Sequence, residues 1–238
     1  MGPVSSLIAG LILLGTEVSA AAVPPESGFA AVPEPAHQAA LYDGPIIFDV
    51  IRKGKKIGEH VTRFEPADDG LLVVNDLDLK VKVLFITAFK LDYHSEAVWD
   101  ESGLKLLEAK VKQGRKRRVL EGLRDGDIFS WTTPKGESLS ADNPETLYPT
   151  DHWHVGVVDQ HQVLNTLTGA MDDVNIRPVQ WESVPTGTGP RRALKYQYEG
   201  DLDNQVWYDE AGRWVGLQFK GKDGSTVRYV CRQCGKDG

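Results

Sequence analysis

From Pro45 onward the apolar residues of this chain recur at every second position. Leu77, Leu79, Val81, Val83 and Phe85 alternate with Asp76, Asp78, Lys80 and Lys82, and Phe89, Leu91, Tyr93, Ala97 and Trp99 alternate with Lys90, Asp92, His94 and Glu96. A period of two sends successive side chains to opposite faces, which is the pattern of strands with one buried face and one wet face. Turn dipeptides ending in Gly punctuate the runs: Lys53-Gly54, Asp69-Gly70, Ser102-Gly103, Gln113-Gly114, Asp125-Gly126, Lys135-Gly136, Ala211-Gly212 and Asp223-Gly224. Short, regularly spaced strands and turns point to an all-β, mainly antiparallel fold, a curved half-barrel or open barrel of roughly ten strands. Residues 41–230 are long enough for one such domain, because barrels often run to about 200–250 residues as single units.

One stretch breaks the rhythm. Between Asn143 and Gly169 clean alternation is lost, and Pro144, Tyr148-Pro149 and Thr150-Asp151 read as a loop feeding a helix. Val155, Val158, Gln162 and Thr166 share helical spacing, while Val157, Val163 and Leu164 blur the face. The sequence therefore predicts a helix within residues 150–165, or an ordered crossover within 144–168, laid across the curved sheet.

The N-terminus reads as an export signal. Residues 7–14 (LIAGLILL) form a short apolar run, Glu17 interrupts it, and Val18-Ser19-Ala20 puts small residues at a cleavage site near Ala20. The run is too short for a membrane helix, which needs about 20 apolar residues. Residues 1–20 are thus expected to be removed, leaving a periplasmic or secreted protein without a transmembrane helix. Residues 21–40 are rich in Ala and Pro and read as a disordered tether.

The net charge of −7 excludes a general nucleic-acid binder, since neutralising phosphates needs a basic surface. No G-x-S-x-G, Walker loop or H-E-x-x-H is present, so the common hydrolase and nucleotide-using classes lose their usual signatures and no cofactor is called for. The densest polar cluster is Asp151-His152-Trp153-His154, with His161 following. Neutral imidazoles with a carboxylate suit zinc and metal-bound water. On a strand His152 and His154 would share a face and could chelate; on a helix they diverge. The competing reading is a loop-edge cluster whose Trp153 anchors the crossover.

Cys231 and Cys234 form the only cysteine pair. A redox C-x-x-C opens a helix, whereas this one follows strand-like sequence and runs into a polar tail, residues 231–238, so in an oxidising compartment a local disulfide is expected. Arg115-Lys116-Arg117-Arg118 could meet anionic headgroups or a partner, or could simply protect an edge strand from aggregation. Asp172-Asp173 and Asp201-Asp203 sit beside turns and no spacing joins them. The aromatics Trp99, Trp131, Trp153, Trp207, Tyr208 and Trp214 would be ordinary core or would line an apolar trough for a lipid or a lipoprotein acyl chain.

Three segments carry a family resemblance. Residues 48–58 (FDVIRKGKKIG) resemble an opening F-x-V-x-x-x-G-x-x-I-G hairpin, residues 164–169 (LNTLTG) an L-N-T-x-T-G block, and residues 207–215 (WYDEAGRWV) a closing W-Y-D-x-x-G-R-W-V hairpin. Together they are similar to an exported bacterial family of domains of unknown function, itself distantly similar to the LolA-type lipoprotein-carrier half-barrels. The resemblance implies an incomplete antiparallel barrel and carries no catalytic residues; a lipid ligand follows from it only by analogy of fold. The readings left open are a binder of an apolar ligand, an envelope interaction protein with a packed barrel and a protein partner, and a metal-dependent enzyme built on the Asp151–His154 segment.

Overall fold

The computed structural model describes residues 28–29, 32–83 and 86–235, without the side chains of 82–88. The export signal and most of the first part of the tether lie outside the described residues. Pairing runs in chain order through β1 (Ile46–Arg52), β2 (Lys55–Ala67), β3 (Gly70–Val83), β4 (Ile86–Asp100), β5 (Gly103–Gln113), β6 (Lys116–Asp125), β7 (Ile128–Thr132) and β8 (Ser138–Asp142). A crossover follows, and then β9 (Gln162–Leu164), β10 (Met171–Thr186), β11 (Gly189–Gly200), β12 (Asn204–Asp209), β13 (Trp214–Lys220) and β14 (Thr226–Gln233). Because β14 pairs with β1, all fourteen strands form one open antiparallel sheet with β8 and β9 at its edges. No helix of the described residues is long and apolar enough to cross a membrane.

The all-β antiparallel expectation holds, but the strands number fourteen rather than about ten. The extra ones are short: β7, β8 and β9 have three to five residues, too few for alternation to register. Of the two forms expected here, the structure has the ordered crossover and not the helix. Residues 143–161 carry only two 3-10 turns, Pro144–Thr146 and Val155–Asp159. Val155, Gly156, Val157 and Val158 are all buried, so this segment has no polar face to leave in water, and β-branched residues and Gly disfavour a long helix. At the start of the chain, Pro35–Ala40 within the expected tether forms a short helix, α1, and Gln38 Nε2 donates to the Gly212 carbonyl at 2.9 Å. At the other end the expected polar tail begins inside a strand, since β14 extends to Gln233 and both cysteines are buried. Arg115–Arg118 does not protect an edge, because β6 lies between β5 and β7.

Curvature turns the alternating apolar face inward, and the crossover fills it. The register places Ile46, Thr62, Asn75, Ser95, Ala109 and Leu120 in one row across β1 to β6, all buried. Trp153 enters from the crossover and is fully buried, its ring 5.3 Å from Phe64 and 5.7 Å from Trp99 in edge-on contacts. Gly103 lets the crossover approach the β4–β5 turn: its φ is +97°, and a Cβ there would lie 2.4 Å from the Pro144 carbonyl oxygen. Trp131 of β7 links the two halves of the sheet, its Nε1 donating to the carbonyl of Gly169 in the β9–β10 connection at 2.8 Å.

Candidate functional site

Polar side chains occupy the middle of that inward row. Thr62 Oγ1 donates to Asn75 Oδ1 at 2.6 Å, and Asn75 Nδ2 reaches Ser95 Oγ at 3.4 Å and Asp151 Oδ2 at 3.5 Å. Asp151 comes to this ladder from the crossover, where His152 takes a left-handed backbone with φ +58°. Two phenols hold the bend: Tyr208 Oη donates to the His152 carbonyl at 2.9 Å and Tyr42 Oη to the Trp153 carbonyl at 2.5 Å. His60, one pair along β2 from Thr62, faces Trp214 and Tyr229 with ring centroids 5.5 and 5.7 Å away. Neither His60 ring nitrogen has a hydrogen-bond partner among the described residues.

Burial sets the protonation of these groups. Removal from water pushes the Asp151 carboxyl up to about 7, which the acceptor contacts from backbone, Asn75 and Trp153 only partly offset. The same desolvation drives His60 down to about 4, His152 to about 3 and His154 to about 4. At neutral pH the interior therefore holds neutral imidazoles and a carboxyl close to half protonated. These residues are 7% exposed or less. Two hollows of the surface lie elsewhere, one of about 440 Å³ over β6 to β8 and one of about 630 Å³ between α1 and β2, neither lined by this cluster.

The histidines proposed as metal ligands do not converge. His152 faces Tyr198 and Trp214, His154 stacks on Trp99 at 6.2 Å and accepts from the Gly156 N–H at 3.1 Å, and His161 is exposed. The left-handed turn at His152 abolishes the extended geometry in which His152 and His154 would share a face. Among the described residues no three His, Cys, Asp or Glu side chains come together as a metal site.

Of the two readings of the six aromatics, core or trough lining, burial favours core for most of them, while Trp131 also borders the hollow over β6 to β8. Trp99, Trp131, Trp153, Tyr208 and Trp214 are 3% exposed or less. Trp207 is 8% exposed; its Nε1 donates to Glu182 Oε1 at 2.6 Å, and Lys195 Nζ lies 5.8 Å from its ring. Cys231 and Cys234 are joined in a disulfide. The polar ladder itself escaped the sequence reading. Its signal was present, because Thr62, Asn75 and Ser95 fall on the apolar phase of their strands, between residues such as Val73 and Leu77.

The segments that carried the resemblance build turns. Asn165 Oδ1 accepts from the backbone N–H of Leu167 at 3.0 Å and Thr168 at 3.2 Å, and Asp209 Oδ1 accepts from Ala211 N at 3.0 Å and Arg213 N at 2.9 Å. The model of the Domain of unknown function (DUF6134) matches residues 48–232, which spans all but the start of β1 and the end of β14. The chain belongs to this family. DUF6134 here adopts a β-barrel-like fold that is also similar to a solved structure, the crystal structure of a beta-barrel-like protein of domain of unknown function DUF1849 from Brucella abortus. The two align with a TM-score of 0.56 at 12% identity, over 81% of this chain and 97% of that one. At that identity the likeness concerns the fold alone. No curated protein matches this DUF6134 chain.

Proposed function

We propose that this DUF6134 protein is an exported, non-enzymatic envelope protein that acts through its outer surface around a closed interior. One observation carries the reading: the space inside the curved sheet, where an apolar ligand would sit, is occupied by the chain's own crossover, with Trp153 fully buried among Trp99, Phe64 and Tyr42. A lipid could enter only by displacing that packing, and removing a buried Trp from a core costs about 3–5 kcal/mol. The water-excluded cluster around Asp151 supplies polar satisfaction within the core rather than reactivity. Export rests on the apolar run 7–14 and the small residues before Ala20.

Native mass spectrometry of protein purified from the envelope tests this reading, together with titration of a fluorescent fatty acid. The expected result is the apo mass of a chain cleaved near Ala20 and no uptake of the probe. A stoichiometric lipid adduct, or saturable uptake, would replace it with a carrier function. Full-length protein retained in the cytoplasmic fraction would remove the export.

A further inference from the structure

The antiparallel order of the sheet gathers alternate turns at opposite ends of the half-barrel, and from β12 through β14 and β1 to β8 the turns of the two ends carry opposite charge. At one end lie the turns β7–β8, β5–β6, β1–β2 and β13–β14, while residues 84–85, between β3 and β4, lie outside the described residues. These four turns present Lys135 from the first, Arg115, Lys116 and Arg117 from the second, Lys53 and Lys55 from the third, and Lys222 from the fourth, every one exposed. At the opposite end the turns β2–β3, β4–β5, β6–β7 and β12–β13 present Asp68 and Asp69, Glu101, Asp125 and Asp127, and Glu210, all exposed. A chain of net charge −7 thus carries a basic rim.

Neutralisation within the rim is slight. Asp223 takes up Arg52 and Lys53, and Glu137 stands beside Lys135. Lys55, Arg115, Lys116, Arg117, Lys135 and Lys222 make no ion pair among the described residues. The acidic Asp201 and Asp203 belong to the β11–β12 turn, beyond the basic stretch. A patch that served only solubility would have no reason to sort by end, since mixed charges achieve that equally.

We propose that this rim docks the protein on an anionic phospholipid bilayer. The choice of occupant follows from the layout. Strands lie about 4.8 Å apart, so successive hairpin tips are about 10 Å apart, and the cations are spread along an edge of the sheet rather than lined along a groove. Such a spread matches a plane of headgroup phosphates better than the single track of a nucleic acid strand, which also calls for stacking aromatics beside the cations. The acidic end would face away from the membrane. The proposal rests on the reading that the outer surface acts, and names the partner of that surface.

The test is co-sedimentation of the mature full chain with vesicles of phosphatidylcholine alone or containing about 30% phosphatidylglycerol. Binding is expected only to the anionic vesicles, with loss at about 0.5 M NaCl, where screening falls to about 4 Å. Arg115→Glu with Arg117→Glu is expected to weaken it by about tenfold or more. Lys105→Glu with Arg192→Glu, the same charge change near the acidic end, is expected to leave it within about twofold. Circular dichroism verifies that both variants fold. Equal weakening by the two variants would overturn the proposal, as would failure to bind anionic vesicles at low salt. Binding of soluble heparin without binding of vesicles would overturn it in favour of a polyanion partner. None of these outcomes touches the closed interior, which fails separately, through fatty-acid uptake.

Discussion

The Tyr42 hydroxyl donates to the carbonyl of Trp153 at 2.5 Å and accepts the N–H of Trp214 at 2.9 Å, so one phenol ties the approach to β1, the crossover and β13 together. Its burial raises the phenol's pKa well above the ordinary value, keeping it a donor at any working pH. Tyr42→Phe would leave two buried backbone groups without partners. At about 1–3 kcal/mol for each orphaned group, a loss of about 2–6 kcal/mol of unfolding free energy is expected in urea denaturation.

Trp153 is the plug of the interior. Trp153→Ala should cost about 3–5 kcal/mol and open a cavity inside the sheet. If the fold persists, that cavity should take up a small aromatic such as indole, read as a rise in melting temperature that the parent protein does not show.

Asp151 gives a pH signature with a definite sign. Its folded pKa is raised to about 7, so between about pH 4 and 7 the folded state holds a proton that the unfolded chain has released, and stability falls as pH rises through that window. Asp151→Asn removes the dependence. The variant should gain over the parent through pH 4 to 7 and hold a constant advantage above, about 4 kcal/mol at most. The depressed pKa values of His60, His152 and His154 act in the opposite sense, with stability lost as pH drops below about 6.5. They are common to both proteins and cancel in the difference. Equal pH profiles for the two would show that Asp151 does not titrate in this range.

The disulfide should matter less than the ion pairs beside it. Cys231 and Cys234 are three positions apart, and closing so short a loop is worth about 2 kcal/mol at most. Asp209, 2% exposed, accepts from Arg191 at 3.2 Å and Arg213 at 2.7 Å, and Arg191 also donates to the Cys234 carbonyl at 2.8 Å. Asp209→Asn withdraws a buried carboxylate that pairs with both the buried Arg191 and the partly buried Arg213. It should cost about 3–5 kcal/mol, more than reduction of the disulfide, as measured by denaturant unfolding with and without reductant.

The fold was legible in the chain because alternation survives wherever strands are long. β3 and β4, with fourteen and fifteen residues, could be read directly from Leu77 to Trp99. β9, with three residues, could not, since its pairing depends on β10 and on Pro149 lying beside Leu164. The crossover misled because its valines fall at helical spacing, yet they are buried from several sides by a concave sheet that the local sequence does not encode. Likewise Trp153 and Trp214 read equally as core or as lining, because whether an inward aromatic meets a ligand or another part of the chain depends on contacts more than 50 residues away, such as Trp99 with Trp153. The ladder of Thr62, Asn75 and Ser95 was accessible in principle as polar residues on an apolar phase. The charge sorting of the turns emerged only when the strand order was known.

Tryptophan accessibility addresses the closed interior most directly. Of the six tryptophans only Trp181 is exposed, at 38%, with the Arg192 guanidinium 4.6 Å over its ring. In a Trp181→Phe variant the remaining emission should be blue-shifted, resist quenching by iodide and stay unchanged when excess oleate is added. Ready quenching, or an oleate-dependent change in the emission, would contradict a sealed core and mark the interior as a binding site.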